Sequence, residues 1–139
     1  SFRLDLSAFQ HVASMHLDAD GNGVRVQIDD ADAGKLTEVV YVWVAQDDTA
    51  LRVGTTKWAV RSRLLQYARH ITRSLAGLPS PTPNWEALRW QEILSSAPLR
   101  AFVHQPPVID AVCGPLRPYL DIERALIKQL GPALNRSPR

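Results

Sequence analysis

With one cysteine, one methionine and no apolar run beyond the stretch Val39 to Ala45, this 139-residue chain excludes several classes at once. The lone Cys113 rules out an internal disulfide and a cysteine-based zinc site, and it reads as a small buried hydrophobe. Val39 to Ala45 is far too short to span a bilayer, so no membrane partner is expected. No secretory signal pattern opens the chain, and the lone cysteine favours a reducing, cytoplasmic setting, with an exported effector as the alternative. Internal repeats, low-complexity tracts and any recognisable sequence-reading module are also missing. What remains is an ordinary globular composition, long enough to bury one core.

Charge is unevenly spread. Residues 1–50 hold three basic and nine acidic side chains, a net of −6, whereas residues 51–139 hold thirteen and five, a net of +8. A basic half of that size suits a phosphate-bearing partner. The acidic half would repel DNA, and it suits a protein partner or self-association. Residues 1–36 therefore read as an acidic accessory layer before a main domain at 37–139.

Within that layer, Leu6, Phe9, Val12 and Met15 recur at helical spacing. Val24 to Ile28 alternates as a half-buried strand should. Between them, Asp18-Ala19-Asp20-Gly21-Asn22-Gly23 matches the first half of a calcium loop, with Asp29 at its twelfth position. That position calls for a bidentate Glu, and a strand follows where a helix should begin. We read the segment as a hairpin turn.

The centre of the chain is a β-hairpin, with strands near 38–45 and 50–54, feeding a basic helix from Trp58 to about Leu78. Trp58, Val60, Leu64, Tyr67, Ile71 and Leu75 form its apolar face. Pro79 to Pro83 ends it, and Asn84 caps a second helix, Trp85 to about Leu94, with Trp85, Leu88 and Leu94 inward. All three helical tryptophans (Trp58, Trp85, Trp90) read as core. Leu99 to His104 is a third strand, stopped by Pro106-Pro107. A last helix runs from about Asp121 to Leu130 and closes at Gly131-Pro132. The expected fold is α/β (α+β), a small three- to four-stranded mixed sheet around a central hairpin, flanked by helices.

Arg63 and Tyr67 share one helix face a turn apart, and Tyr41 lies on the hairpin from which that helix leaves. Read alone, these fit core aromatics and surface charge as well as they fit a site. Arg61, Arg69 and Arg73 line the same helix as candidate DNA-backbone contacts. His70 and His104 are weaker candidates for a proton shuttle.

The tail adds a second set of signals. Glu123 sits in the first turns of an amphipathic helix, followed by Leu126-Ile127-Lys128 and Pro132, with Asn135 twelve positions beyond it. With Val39-Val40-Tyr41, Arg52-Val53-Gly54 and Arg63-Leu64-Leu65-Gln66-Tyr67, the chain from about Glu38 to Asn135 resembles the GIY-YIG nuclease family. Its spacing is most similar to the nuclease domain of the bacterial nucleotide-excision repair endonuclease.

That resemblance implies a DNA endonuclease using one Mg²⁺ or Mn²⁺. Tyr41 would activate water, Arg63 would offset phosphate charge, Glu123 would hold the metal, and Tyr67 and Asn135 would complete the site. Neighbouring Arg52, Arg63 and the metal are expected to lower the Tyr41 pKa. Two departures stand out: Val39 replaces the first glycine, and Arg52 replaces the tyrosine of the second motif. Arginine cannot act as a base at neutral pH, but Arg52 and Lys57 can bind phosphate. The competing readings are a weakened or inactive DNA-binding module, and a protein-interaction domain built on the acidic half.

Overall fold

The computed structural model describes residues 4–135. A five-stranded antiparallel sheet, ordered β2-β1-β5-β3-β4, organises the chain. Its strands are β1 (Gln10–Leu17), β2 (Val24–Ile28), β3 (Val39–Val44), β4 (Ala50–Thr56) and β5 (Leu99–His104). The helices are α1 (Ala31–Gly34), α2 (Val60–Leu75), α3 (Asn84–Ser96) and α4 (Tyr119–Leu130). A separate two-stranded hairpin, β6 (Ile109–Ala111) with β7 (Gly114–Leu116), precedes α4.

Every residue of β3 is buried, because the strand is covered on both faces. Val39, Tyr41 and Trp43 join the core beneath α2 and α3. Val40, Val42 and Val44 join the core beneath α4. This two-sided burial is why the strand reads as an unbroken apolar run instead of an alternating one.

The α+β class holds, but the sheet is larger than expected and antiparallel throughout. The helix expected over Leu6 to Met15 is instead a short 3₁₀ turn at Leu6–Ala8 followed by β1. A register shift between His11 and Ala13 puts Val12 and Ala13 side by side in the core. That irregularity breaks the period-2 pattern and leaves a spacing that imitates a helix. β1 and β2 stand in the sheet, with β1 between β2 and β5.

The 18–23 segment is a hairpin turn. Asp18 N donates to the Gly23 carbonyl at 2.9 Å, and Gly21 takes a left-handed φ of 74°. The Asp18 carboxylate accepts from Arg25 Nε at 3.1 Å. Other acids of the front half are also engaged: Asp48 with Arg100, Asp29 with His11, and Asp30 as N-cap of α1.

Four apolar assignments change. Trp58 is 69% exposed because it precedes α2 and escapes its period. Trp85 and Leu88 also face solvent, and Cys113 is exposed on the β6–β7 hairpin. The inward stripe of α3 is Glu86, Ala87, Trp90 and Leu94: Trp90 and Leu94 are buried as expected, but Glu86 and Ala87 stand where Trp85 and Leu88 were expected. A glutamate on the buried face hid it.

Candidate active site

The site grows from the outer pair of strands. Tyr41 on β3 lies directly opposite Gly54 on β4. A Cβ at Gly54 would overlap the Tyr41 hydroxyl and ring, so the glycine makes room for the phenol to lie across the strand pair. Tyr41 then reaches Tyr67 on α2, hydroxyl to hydroxyl at 2.8 Å. Trp43 and Trp90 pack edge-on against Tyr67, at 5.7 and 5.8 Å between ring centroids, and lock it from beneath.

One cleft of about 180 Å³ opens over this pair. Tyr41, Arg52, Arg63, Tyr67, His70 and Glu86 supply its ionisable walls, and the α2–α3 connector closes one side with Pro81 and Thr82. The sequence-derived candidates Tyr41, Arg63 and Tyr67 thus converge, as does Arg52 at the position of the second motif tyrosine.

Glu86 is the residue the sequence did not reveal. Only 4% exposed, it accepts from Arg52 Nη1 at 3.3 Å through Oε1 and from Trp90 Nε1 at 3.3 Å through Oε2. Its signal was a charged residue breaking the apolar stripe of α3, one turn before Trp90. Buried carboxylates are rare unless paired, so the break marks a partner across the core.

Asn135 does not enter the cleft. Its side chain grips the outer edge of β4, with Oδ1 accepting from Val53 N at 2.8 Å and Nδ2 donating to Val53 O at 2.9 Å. Leu134 N donates to Leu51 O at 2.8 Å beside it. The amide imitates a neighbouring strand and satisfies backbone groups an edge would leave open. It also brings the Leu134 carbonyl to Arg52 Nη1 at 2.8 Å, so Arg52 is held from two sides.

Glu123 stands on α4, across the sheet from α2 and α3. Burial raises its pKa, opposed by a hydrogen bond from Thr55 and by the charge of Arg52. Glu123 is not among the residues lining the cleft. Among the described residues no three His, Cys, Asp or Glu side chains cluster as a ready metal cage. A lone carboxylate suits a cation that keeps most of its water and takes its other oxygens from a phosphate, as Mg²⁺ does.

The expected lowering of the Tyr41 pKa is reversed. Burial, then the charge and hydroxyl of Tyr67, push it well above the usual 10.0, and the pull of Arg52 and Arg63 is smaller. Tyr67 is likewise raised, chiefly by burial. Both phenols are hydrogen-bond donors and acceptors at neutral pH and weak candidates for a base.

The remaining cations lie outside the cleft. Arg61 packs its stem beside Gly34, Lys57 stands over the Trp58 ring at 5.3 Å, and Arg73 donates to the Pro79 carbonyl at 3.0 Å. Arg69 is exposed on α2. His104 is bound to the Ala8 carbonyl at 2.9 Å and is not part of the site.

No protein-family model and no curated protein matches the sequence. Solved structures do match the fold. A mutant of EndoII from bacteriophage T4 superposes with a TM-score of 0.60 at 16% identity, over 92% of each chain. The restriction endonuclease HPY188I, in complex with product DNA, superposes with a TM-score of 0.53 at 13% identity, over 96% of this chain and 79% of that one. At such identities the likeness establishes a shared α+β fold, in chains that include two endonucleases.

Proposed function

We propose that the protein is a divalent-metal-dependent DNA endonuclease of the GIY-YIG type. The observation that carries this reading is the convergence of Tyr41, Arg52, Arg63 and Tyr67 on one cleft. Glu123, on the other face of the sheet, feels the charge of Arg52. The likeness in fold to two endonucleases supports it.

Arg63, exposed at the mouth, and Arg52, held by Glu86 and Leu134, receive a phosphate and offset the charge that grows on its oxygens. The Tyr41–Tyr67 pair orients the attacking water or a phosphate oxygen by hydrogen bonding and does not deprotonate it. Asn135 fixes the edge of β4 and so the aim of Arg52. Glu123 would hold Mg²⁺ or Mn²⁺, which when bound supplies Lewis-acid stabilisation of the leaving oxygen. Arg69, with Arg61, Lys57 and Arg73, would contribute sequence-neutral contacts to the DNA backbone.

Incubating supercoiled plasmid with Mg²⁺ or Mn²⁺ tests the reading. Nicking that disappears in Glu123→Ala, with DNA binding retained, supports it. A second reading, a DNA-binding module without activity, is favoured by Arg52 standing where the motif has a tyrosine. Binding at low salt with no nicking under either metal would select that one.

A further inference from the structure

With both phenols shifted away from base duty, the proposed hydrolysis lacks a proton acceptor for its water. Arg52 and Arg63 carry fixed positive charge and cannot accept a proton. Both oxygens of Glu86 already accept hydrogen bonds, from Arg52 and from Trp90. Tyr41 and Tyr67 are bonded to each other. Only His70 remains, and it lies on the same face of α2 as Tyr67 and Arg63, three and seven positions on.

The connector is tied to α2 at this residue. Ser80 Oγ donates to the His70 carbonyl at 2.6 Å, and Thr82 N donates back to Ser80 Oγ at 3.1 Å. These bonds tie the connector to the α2 backbone at His70, and Pro81 and Thr82 line the cleft together with His70. We infer that His70 is the general base of this site, taking a proton from the water that attacks the phosphodiester. The inference rests on the endonuclease reading above.

In the step, one O–H bond of water breaks and its proton goes to the unprotonated ring nitrogen of His70. The oxygen's electron pair forms the new bond to phosphorus. The bond from phosphorus to the leaving sugar oxygen breaks with its pair on that oxygen, which takes a proton from solvent or from the imidazolium.

The charges facing His70 favour its neutral, accepting form. Arg63 and Arg69 flank it on α2, Arg52 and Tyr41 face it from the strands, Tyr67 adjoins it, and Glu86 on α3 is neutralised by Arg52. Burial lowers its pKa first, and Arg69 and Arg63 lower it further. The imidazole therefore stays unprotonated below the ordinary value of 6.5.

The test is plasmid nicking in Mg²⁺ by the full chain, its His70→Ala and His70→Gln variants, and His70→Ala with added imidazole. Both variants are expected to lose about 100-fold or more in rate, within the range for general-base loss. DNA affinity measured in chelator should stay within about threefold of the parent, as a group acting on water alone requires. Imidazole should restore the His70→Ala rate in proportion to its neutral fraction. The parent's acid limb should vanish in the variants. A parental rate in either variant, or an acid limb surviving in both, overturns the assignment while leaving the nuclease reading intact. A folded parent that nicks under no metal overturns both.

Discussion

Arg52 Nη1 on the outer strand lies 3.3 Å from Glu86 Oε1 on α3 and donates to the Leu134 carbonyl at 2.8 Å. Glu86 is almost wholly enclosed, whereas the Arg52 side chain keeps 27% exposure. Removing the carboxylate strands Trp90 Nε1 and leaves the guanidinium with one anchor. Glu86→Ala should therefore cost about 2–3 kcal/mol, below the full cost of a sealed ion pair because Arg52 still meets solvent. Chemical denaturation measures this. If Glu86 serves activity only by holding Arg52, Glu86→Gln should slow nicking in the parent but add little in an Arg52→Gln background.

Gly54 and Tyr41 face each other across β3 and β4 with no room for another carbon. The Tyr41 ring is buried and cannot swing away without opening its core. Gly54→Ala should destabilise by about 1–3 kcal/mol, as overpacking does. It should also break the Tyr41–Tyr67 hydrogen bond. Tyr41→Phe provides the control: it loses the same bond while keeping the packing, so Gly54→Ala must be the less stable of the two.

How much of this was readable beforehand follows from what each segment buries. The central hairpin, α2, β5 and α4 were legible because their apolar residues have partners on a regular period, whereas α3 was legible as a helix but not in its buried face. β1 was misread because its register shift erased the alternation, and β6–β7 are too short to show any period. Tyr41, Arg63 and Tyr67 could be placed together because they lie on adjacent elements. Glu86 could not, because its pairing with Arg52 spans 34 positions and its burial contradicts its residue type. The Tyr41 pKa failed for a related reason. Neighbouring arginines are visible in a sequence, but the desolvation that outweighs them is a property of the packed core.

That desolvation gives an alkaline signature. Tyr41 and Tyr67 are raised above 10.0 in the folded chain, so between that value and their folded pKa values the unfolded state binds fewer protons. Stability is fully present below about pH 10 and falls as pH climbs, by up to about 1.4 kcal/mol per pH unit for each phenol. Denaturant midpoints measured across the alkaline range should decline, and the Tyr41→Phe, Tyr67→Phe double variant should flatten the decline. An unchanged slope would mean that the phenols ionise freely in the folded protein.

At Asn135 stability and site geometry separate. Its amide both accepts from and donates to Val53, closing the edge of β4 as a strand would. Asn135→Asp keeps the acceptor but replaces the donor with charge facing a carbonyl. Asn135→Ala loses both bonds, and each removal should cost about 1–2 kcal/mol. The edge beside Arg52 should loosen in either variant, so amide exchange at Val53 should accelerate well beyond the change seen at buried β3 amides. Nicking should fall through a poorer Arg52 aim, and Leu134, which is fully buried, should keep the tail docked. A variant with fast Val53 exchange and undiminished nicking would separate Asn135 from the site and leave it as an edge cap alone.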